Sequence, residues 1–283
     1  MAADRLLIRT MTRSEVDLAV DWAAAEGWNP GLHDADCFHA ADTHGFLVGV
    51  LDGEPVAAIS AVRYGSVFAF IGFYIVKPAH RGHGFGMTIW NAAMERLAGF
   101  NAALDGVIAQ QDNYRKSGFT LAGRNIRYEG SAGQAAQPDA AIVPLARVAF
   151  DEVERYDRLF FPAPRDRFLR CWIGQPDATA VGVLEHGTLR GAAVMRPCRS
   201  GYKIGPLFAD SAELADRLFV HCRSAAPAGA PIFLDIPEVN AAALALVERY
   251  GMRPMFETAR MYTGAVPALP LARLFGITTF ELG

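Results

Sequence analysis

The sequence predicts an α/β chain built from two copies of one fold, and two observations carry that reading. First, Phe68 to Val76 is an uninterrupted apolar run of buried-strand length. Lys77-Pro78 stops it, because proline has no N–H for a ladder. Arg81-Gly82-His83-Gly84-Phe85-Gly86 then turns the chain, and Met87 to Leu97 repeats apolar residues at helical spacing. Second, the pattern recurs. Val48-Gly49-Val50-Leu51 matches Val181-Gly182-Val183-Leu184, Arg63 matches Arg196, Ile71-Gly72 matches Ile204-Gly205, and Gly118-Phe119 matches Gly251-Met252, each pair 133 residues apart. Ile8 matches Ile142 at 134. One offset kept over a whole domain marks a duplication.

In chain order, Leu6 to Arg9 reads as a short strand. Thr12-Arg-Ser-Glu15 is a capping box that opens a helix running to Glu26. Gly27 to Gly31 breaks it. Gly45 to Leu51 and Val56 to Val62 read as a hairpin around the turn Asp52-Gly53. After the central strand, turn and helix come a strand over Ala102 to Val107, a short helix over Asn113 to Ser117, and a strand over Thr120 to Tyr128. Gly130 to Asp139, rich in Gly, Ala, Ser and Gln, has linker composition.

With 283 residues the chain has room for two ordinary domains, and 52% hydrophobic residues supply a sizeable core. The net charge of −3 and the lack of a basic run argue against a nucleic-acid partner. Met1-Ala-Ala-Asp-Arg5 does not have the layout of a signal peptide, and no apolar stretch approaches the ~20 residues of a membrane span. Cys37, Cys171, Cys198 and Cys222 form no C-x-x-C pair. A cytoplasmic protein with free thiols and no membrane partner is expected.

The turn after the central strand is an anion cradle. The first turn of a helix leaves N–H groups unpaired, and its dipole favours negative charge. Gly82, Gly84 and Gly86 let a ligand lie against the backbone, and Arg81 adds a cation. A phosphate or pyrophosphate is the expected ligand. G-x-G-x-G is neither the G-x-G-x-x-G of a dinucleotide fold nor the Gly-Lys-Ser/Thr ending of a P-loop.

Val76-Lys77-Pro78 followed by Arg81, Gly84 and Gly86 resembles the pyrophosphate loop of the GNAT acetyltransferases, Arg/Gln-x-x-Gly-x-Gly/Ala after a Val-x-Pro strand end. Tyr114-Arg-Lys-Ser-Gly118-Phe119 matches the family's Tyr-x-x-x-Gly-Phe, about thirty residues after the loop. The whole chain resembles a bacterial subgroup that joins an N-terminal acetyltransferase domain to a degenerate C-terminal one. That likeness includes Glu26-Gly-Trp-Asn-Pro-Gly31, Leu104-Asp-Gly-Val107, Gly205-Pro-Leu-Phe-Ala-Asp210 and Arg260-Met-Tyr-Thr263. It implies tandem GNAT folds, each a mixed, mainly antiparallel sheet flanked by helices. The expected division is 1–130 for the acetyltransferase domain, 131–140 for the linker and 141–283 for the degenerate domain. The counterpart of the glycine turn, Leu214 to Phe219, has no glycine, and the counterpart of Tyr114 is Val247, so the second copy is expected to be catalytically silent. A fragment ending near Gln137 is then expected to keep cofactor binding if it is soluble.

The resemblance implies an N-acetyltransferase moving an acyl group other than aminoacyl, with acetyl-CoA as co-substrate, a small primary amine as acceptor, and no metal. It assigns cofactor contacts to Tyr74, Ile75 and Val76 at the splayed end of the strand, to Arg81, Gly82, His83, Gly84, Phe85 and Gly86 of the loop, and to Asn113 and Tyr114. Strand N–H groups would polarise the acyl carbonyl. Tyr114 would be the general acid: a phenol of pKa ~10 can protonate a thiolate whose acid lies near ~8.5. Many relatives carry a glutamate base on the central strand, but Phe68 to Val76 contains no acid. Glu26, Asp34, Asp36 and Asp105 remain as base or substrate-contact candidates, Asp105 because burial in an apolar strand raises a carboxyl. Trp28 and Asn29 join Asp34 on the substrate side, Trp28 as an apolar or cation–π wall. His33, Asp34, Asp36, Cys37, His39, Asp42 and His44 are zinc-type ligands at spacings that fit no compact site. A coenzyme A-binding sensor without turnover is the alternative reading. A monomer or homodimer is expected.

Overall fold

The computed structural model describes residues 6–134 and 137–283. The first half runs β1 (Leu7–Thr10), α1 (Arg13–Ala25), α2 (Asp34–Ala41), β2 (Phe46–Leu51), β3 (Glu54–Tyr64), β4 (Phe68–Val76), α3 (Phe85–Arg96), β5 (Asn101–Val107), α4 (Gln111–Lys116) and β6 (Thr120–Ser131). The second half repeats this order as β7 (Ile142–Pro144), α5 (Phe150–Asp157), α6 (Asp166–Ile173), β8 (Thr179–Glu185), β9 (Thr188–Pro197), β10 (Tyr202–Ala209), α7 (Ala212–Ala225), β11 (Pro231–Pro237), α8 (Ala241–Arg249) and β12 (Arg253–Tyr262), then adds β13 (Leu274–Gly276). Local signals place these elements. Thr12 and Glu15 form the reciprocal capping box of α1. Asp52-Gly53 and the matching His186-Gly187 both take left-handed φ values, 51° with 88° and 50° with 76°, as a tight hairpin turn needs.

Among the described residues all thirteen strands join one sheet, in the order β1-β2-β3-β4-β5-β12-β6-β11-β10-β9-β8-β7, with β13 against β10. Only β4·β5 and β10·β11 are parallel pairs. The order shows that the halves exchange their last strands: β12 lies between β5 and β6, and β6 lies between β12 and β11. Each exchange is clasped by an ion pair between facing residues. Arg260 of β12 forks onto Asp105 of β5 at 2.9 and 2.6 Å, and Arg127 of β6 forks onto Asp235 of β11 at 2.7 Å twice. Both carboxylates are buried, so removing one guanidinium would strand a charge at a cost of about 3–5 kcal/mol.

Alternation along the strands sorts side chains to two faces. On one face Phe46, Val48, Ala58, Val62, Phe70 and Phe73 join α1, α2, α5 and α6 in a core common to both halves. On the other, Leu47, Ile59, Ala61 and Ile71 pack with α3 and α4, and a separate core covers α7 and α8. The shared face is also stitched by polar contacts. Asp34 of α2 is fully buried against Arg196 of β9, at 2.7 and 3.2 Å, and Arg196 stacks 4.2 Å over Trp172. Asn29 exchanges two 2.9 Å hydrogen bonds with the backbone of Ser200.

Candidate active site

β4 and β5 pair in parallel only from Phe68/Asn101 to Ile71/Leu104; beyond that point they diverge. A bulge against β3 begins there, and Phe73 adopts φ 49°, a left-handed conformation that costs a bulky residue about 1–2 kcal/mol. Where they diverge lies a cavity of about 500 Å³ lined by residues from both faces of the sheet. Tyr74, Trp90 and Tyr114 line it towards α3 and α4, whereas Trp28, Phe73, Phe256 and Phe280 line it towards the shared core.

The glycine turn closes one end. Gly84, at φ 85°, is the N-cap of α3, and the first turn of that helix holds no acidic residue. Arg81 and Gly82 lie on the cavity wall. Arg81 donates from Nε to the Val76 carbonyl at 2.8 Å, and its Nη2 pairs with Glu26 at the end of α1. A Cβ on Gly86 would fall 2.7 Å from the Tyr74 hydroxyl. The open backbone, the guanidinium and the helix terminus fit a pyrophosphate.

Tyr114 is buried on α4 with its ring 5.6 Å from that of Trp90. Its ring lies so close to β5 that a Cβ on Gly106 would overlap it. Burial, and next the neighbouring Tyr74, push the phenol up to about 12, so it keeps its proton at neutral pH. Burial raises Tyr74 as well.

The structure brings together Tyr74, Ile75, Val76, Arg81, Gly82, Gly86, Tyr114, Glu26, Trp28 and Asp105 on this one cavity. The other candidates lie off the cavity or have their polar groups engaged elsewhere. Asp34 does not reach the cavity, being locked to Arg196 and to the Gly31 N–H at 2.7 Å. Asn29 is spent on Ser200. Asn113 donates to Gln110 at 2.7 Å and stays off the wall. Phe85 is buried with Leu6 and Val56, and His83 stacks on it at 5.9 Å, so neither side chain lines the cavity. Asp105 lines it, but both its oxygens are taken by Arg260 and one also by Asn125, which leaves no free base there. Asp36 pairs with Arg13 and Asp42 with Arg96, which scatters the polar stretch 33–44. Among the described residues no three His, Cys, Asp or Glu side chains form a metal cluster. No helix among them is long and apolar enough to cross a membrane.

Sequence reasoning missed His80, Gln110, Phe256, Phe280 and Glu281, which all line the cavity. The last two come from the segment after β13. That segment passes the bulge glycines of both halves: a Cβ on Gly205 would meet the carbonyls of Ile277 and Thr278 at 2.7 and 2.5 Å, and one on Gly72 would overlap that of Glu281. The side chain of Glu281 is buried, and neither carboxylate oxygen has a hydrogen-bond partner. A lone acid between Phe280 and Leu282 is the only signal that could have marked it.

Among the described residues, the matching gap of the second half is occupied. β10 and β11 also diverge after Ile204/Leu234, but β13 fills the gap, pairing with Leu207 and Phe208, while Ile277 donates to Asp235 at 2.9 Å. Asp210 and Glu213 sit at the start of α7, where an anion would be repelled.

Comparison with known proteins agrees with this geometry. Residues 12–119 match the model of the acetyltransferase (GNAT) family, and residues 153–276 match that of an acetyltransferase (GNAT) domain. A holothin acyltransferase of Pseudoalteromonas sp. (strain SANK 73390) is 29% identical over 269 residues, 95% of this chain and 92% of that protein. A crystal structure of a proposed acetyltransferase from Pyrococcus horikoshii superposes with a TM-score of 0.83 at 22% identity, covering 99% of this chain and 96% of that one. A tandem GNAT protein from the clavulanic acid biosynthesis pathway does so with a TM-score of 0.59 at 14% identity, covering 93% and 100%.

Proposed function

Since the chain belongs to the GNAT family as a two-domain acyltransferase, we propose that it transfers an acetyl group from acetyl-CoA to a primary amine of a small molecule, by direct attack within a ternary complex. One observation carries the reading: strand divergence, glycine turn and Tyr114 converge on one cavity that is lined by residues of both faces of the sheet. A co-substrate can then enter from the α3 side while an acceptor enters from the other.

Arg81 and the N–H groups of residues 82–87 hold the pyrophosphate; Arg81 must release Glu26 or share it. The main chain of Tyr74 to Val76, unpaired on the side facing β5, aligns the pantetheine arm and donates to the acyl oxygen. Acetyl-CoA supplies the activated thioester. Tyr114 protonates the departing sulfur. Trp28, Phe256 and Phe280 give the acceptor an apolar, aromatic seat. The second half, its own cleft filled by β13, serves as structure and as acceptor wall. The proposed division is 1–130 for the catalytic domain, 131–140 for the linker and 141–283 for the silent domain.

The test is steady-state release of free thiol from acetyl-CoA over a panel of amines that includes holothin, the compound in the relative's name, and phenethylamine. Amine-dependent thiol release with a matching N-acetyl product is expected. Acetyl-CoA binding without amine-dependent release by any panel member would instead favour a coenzyme A-binding sensor.

A further inference from the structure

Every charged side chain on the cavity wall is accounted for except one. Glu26 holds Arg81 and Asp105 holds Arg260, whereas the carboxylate of Glu281 is buried without a hydrogen-bond partner. Such a group calls for an explanation. Its backbone lies against Gly72, one residue before the bulge of β4, on a strand that carries no acid of its own. It belongs to the aromatic half of the cavity, beside Phe280, away from Tyr114.

We propose that Glu281, delivered by the segment after β13, binds the acceptor ammonium and acts as its general base. The inference rests on the acetyltransferase reading. Glu281 takes one proton from the ammonium. The freed nitrogen lone pair attacks the thioester carbon, and the carbon–sulfur bond breaks with its electron pair on sulfur. Tyr114 protonates the sulfur, the second nitrogen proton returns through water to the Tyr114 oxygen, and Glu281 passes its proton to solvent. Three basic side chains interact electrostatically with Glu281: Arg127 of β6, Arg196 of β9 and Lys203 of β10, the last held below the ordinary lysine range by burial. The first two are already paired, with Asp235 and Asp34, while the Lys203 side-chain nitrogen has no hydrogen-bond partner.

The test compares wild type, Glu281→Gln and Glu281→Asp with phenethylamine and holothin as probes, measuring kcat/KM against pH and acetyl-CoA affinity by calorimetry. In Glu281→Gln, kcat/KM is expected to fall ~10²-fold or more. The rate should then rise with pH in step with the free-amine fraction, with acetyl-CoA affinity unchanged. Glu281→Asp should restore the wild-type shape of the profile at a lower rate. If Glu281 only balances the charge of Lys203, Glu281→Gln will lower the melting temperature yet keep the wild-type profile, and the proposal is overturned while the acetyltransferase reading stands. A wild-type protein that binds acetyl-CoA but acetylates neither probe favours the sensor reading and overturns the base role of Glu281 with it. One that binds no acetyl-CoA overturns the reading beneath it.

Discussion

Replacing Tyr114 by phenylalanine keeps the ring against Trp90 and above Gly106 and removes one hydroxyl. The structure gives a scale for the loss. Burial, and next Tyr74, lift the phenol from 10 to about 12, a penalty on the Tyr114 anion of about 3 kcal/mol. A thiolate left unprotonated beside it would meet a penalty of the same order, or about 10²-fold in rate. That is the lower end of the ~10²–10⁴ ascribed to general acids. We therefore expect Tyr114→Phe to lower kcat ~10²-fold or more, measured as thiol release with the best amine of the panel. Acetyl-CoA affinity should hold, because the loop is untouched. The phenol remains protonated until pH approaches 12, so wild-type kcat should show no basic limb due to Tyr114 between pH 7 and 10. Parental turnover by Tyr114→Phe, at unchanged acetyl-CoA affinity, would refute the acid assignment.

Calorimetry should find one acetyl-CoA per chain, because β13 occupies the second cleft; two equivalent sites would contradict this. Gly84→Val puts a branched residue at φ 85° and a side chain against the pyrophosphate path. It should weaken acetyl-CoA at least ~10-fold, the loss of a hydrogen bond to a charged group. Strain of ~1–3 kcal/mol should lower the melting temperature by roughly 2–12 °C, and unaltered affinity would place the co-substrate elsewhere. A fragment ending at Gln137 lacks β12 and β11, which leaves β5 and β6 as unpaired edges, so light scattering should find it aggregated; a soluble monomer that binds acetyl-CoA would count against the importance of the strand exchange.

What the sequence made legible was local. The apolar run ending at Pro78, the glycine turn, the hairpin at Asp52-Gly53 and the 133-residue offset each need only neighbouring residues or a repeat, and each appears in the fold. What it hid depends on distant partners. Asp34 and Asn29 look like substrate contacts until Arg196 and Ser200, far along the chain, are seen to hold them. Asp105 looks like a buried base until Arg260 arrives on an exchanged strand. That exchange has no local signature, because two-residue alternation says which face a side chain takes and not which strand lies alongside. For the same reason the fragment expected from the repeat to bind acetyl-CoA is not a closed sheet. Glu281 escaped notice because its role depends on how its segment crosses β4.

The strand exchange also imposes a timetable on synthesis. Once β6 has emerged from the ribosome at Ser131, β5 and β6 wait for β12, which is finished at Tyr262. At ~5–20 residues per second that interval lasts roughly 7–26 s, long compared with the microseconds in which hairpins such as β2–β3 form. For those seconds the nascent first half carries its glycine turn and Tyr114 beside an open sheet edge, and it depends on the cell to keep that edge from finding another chain.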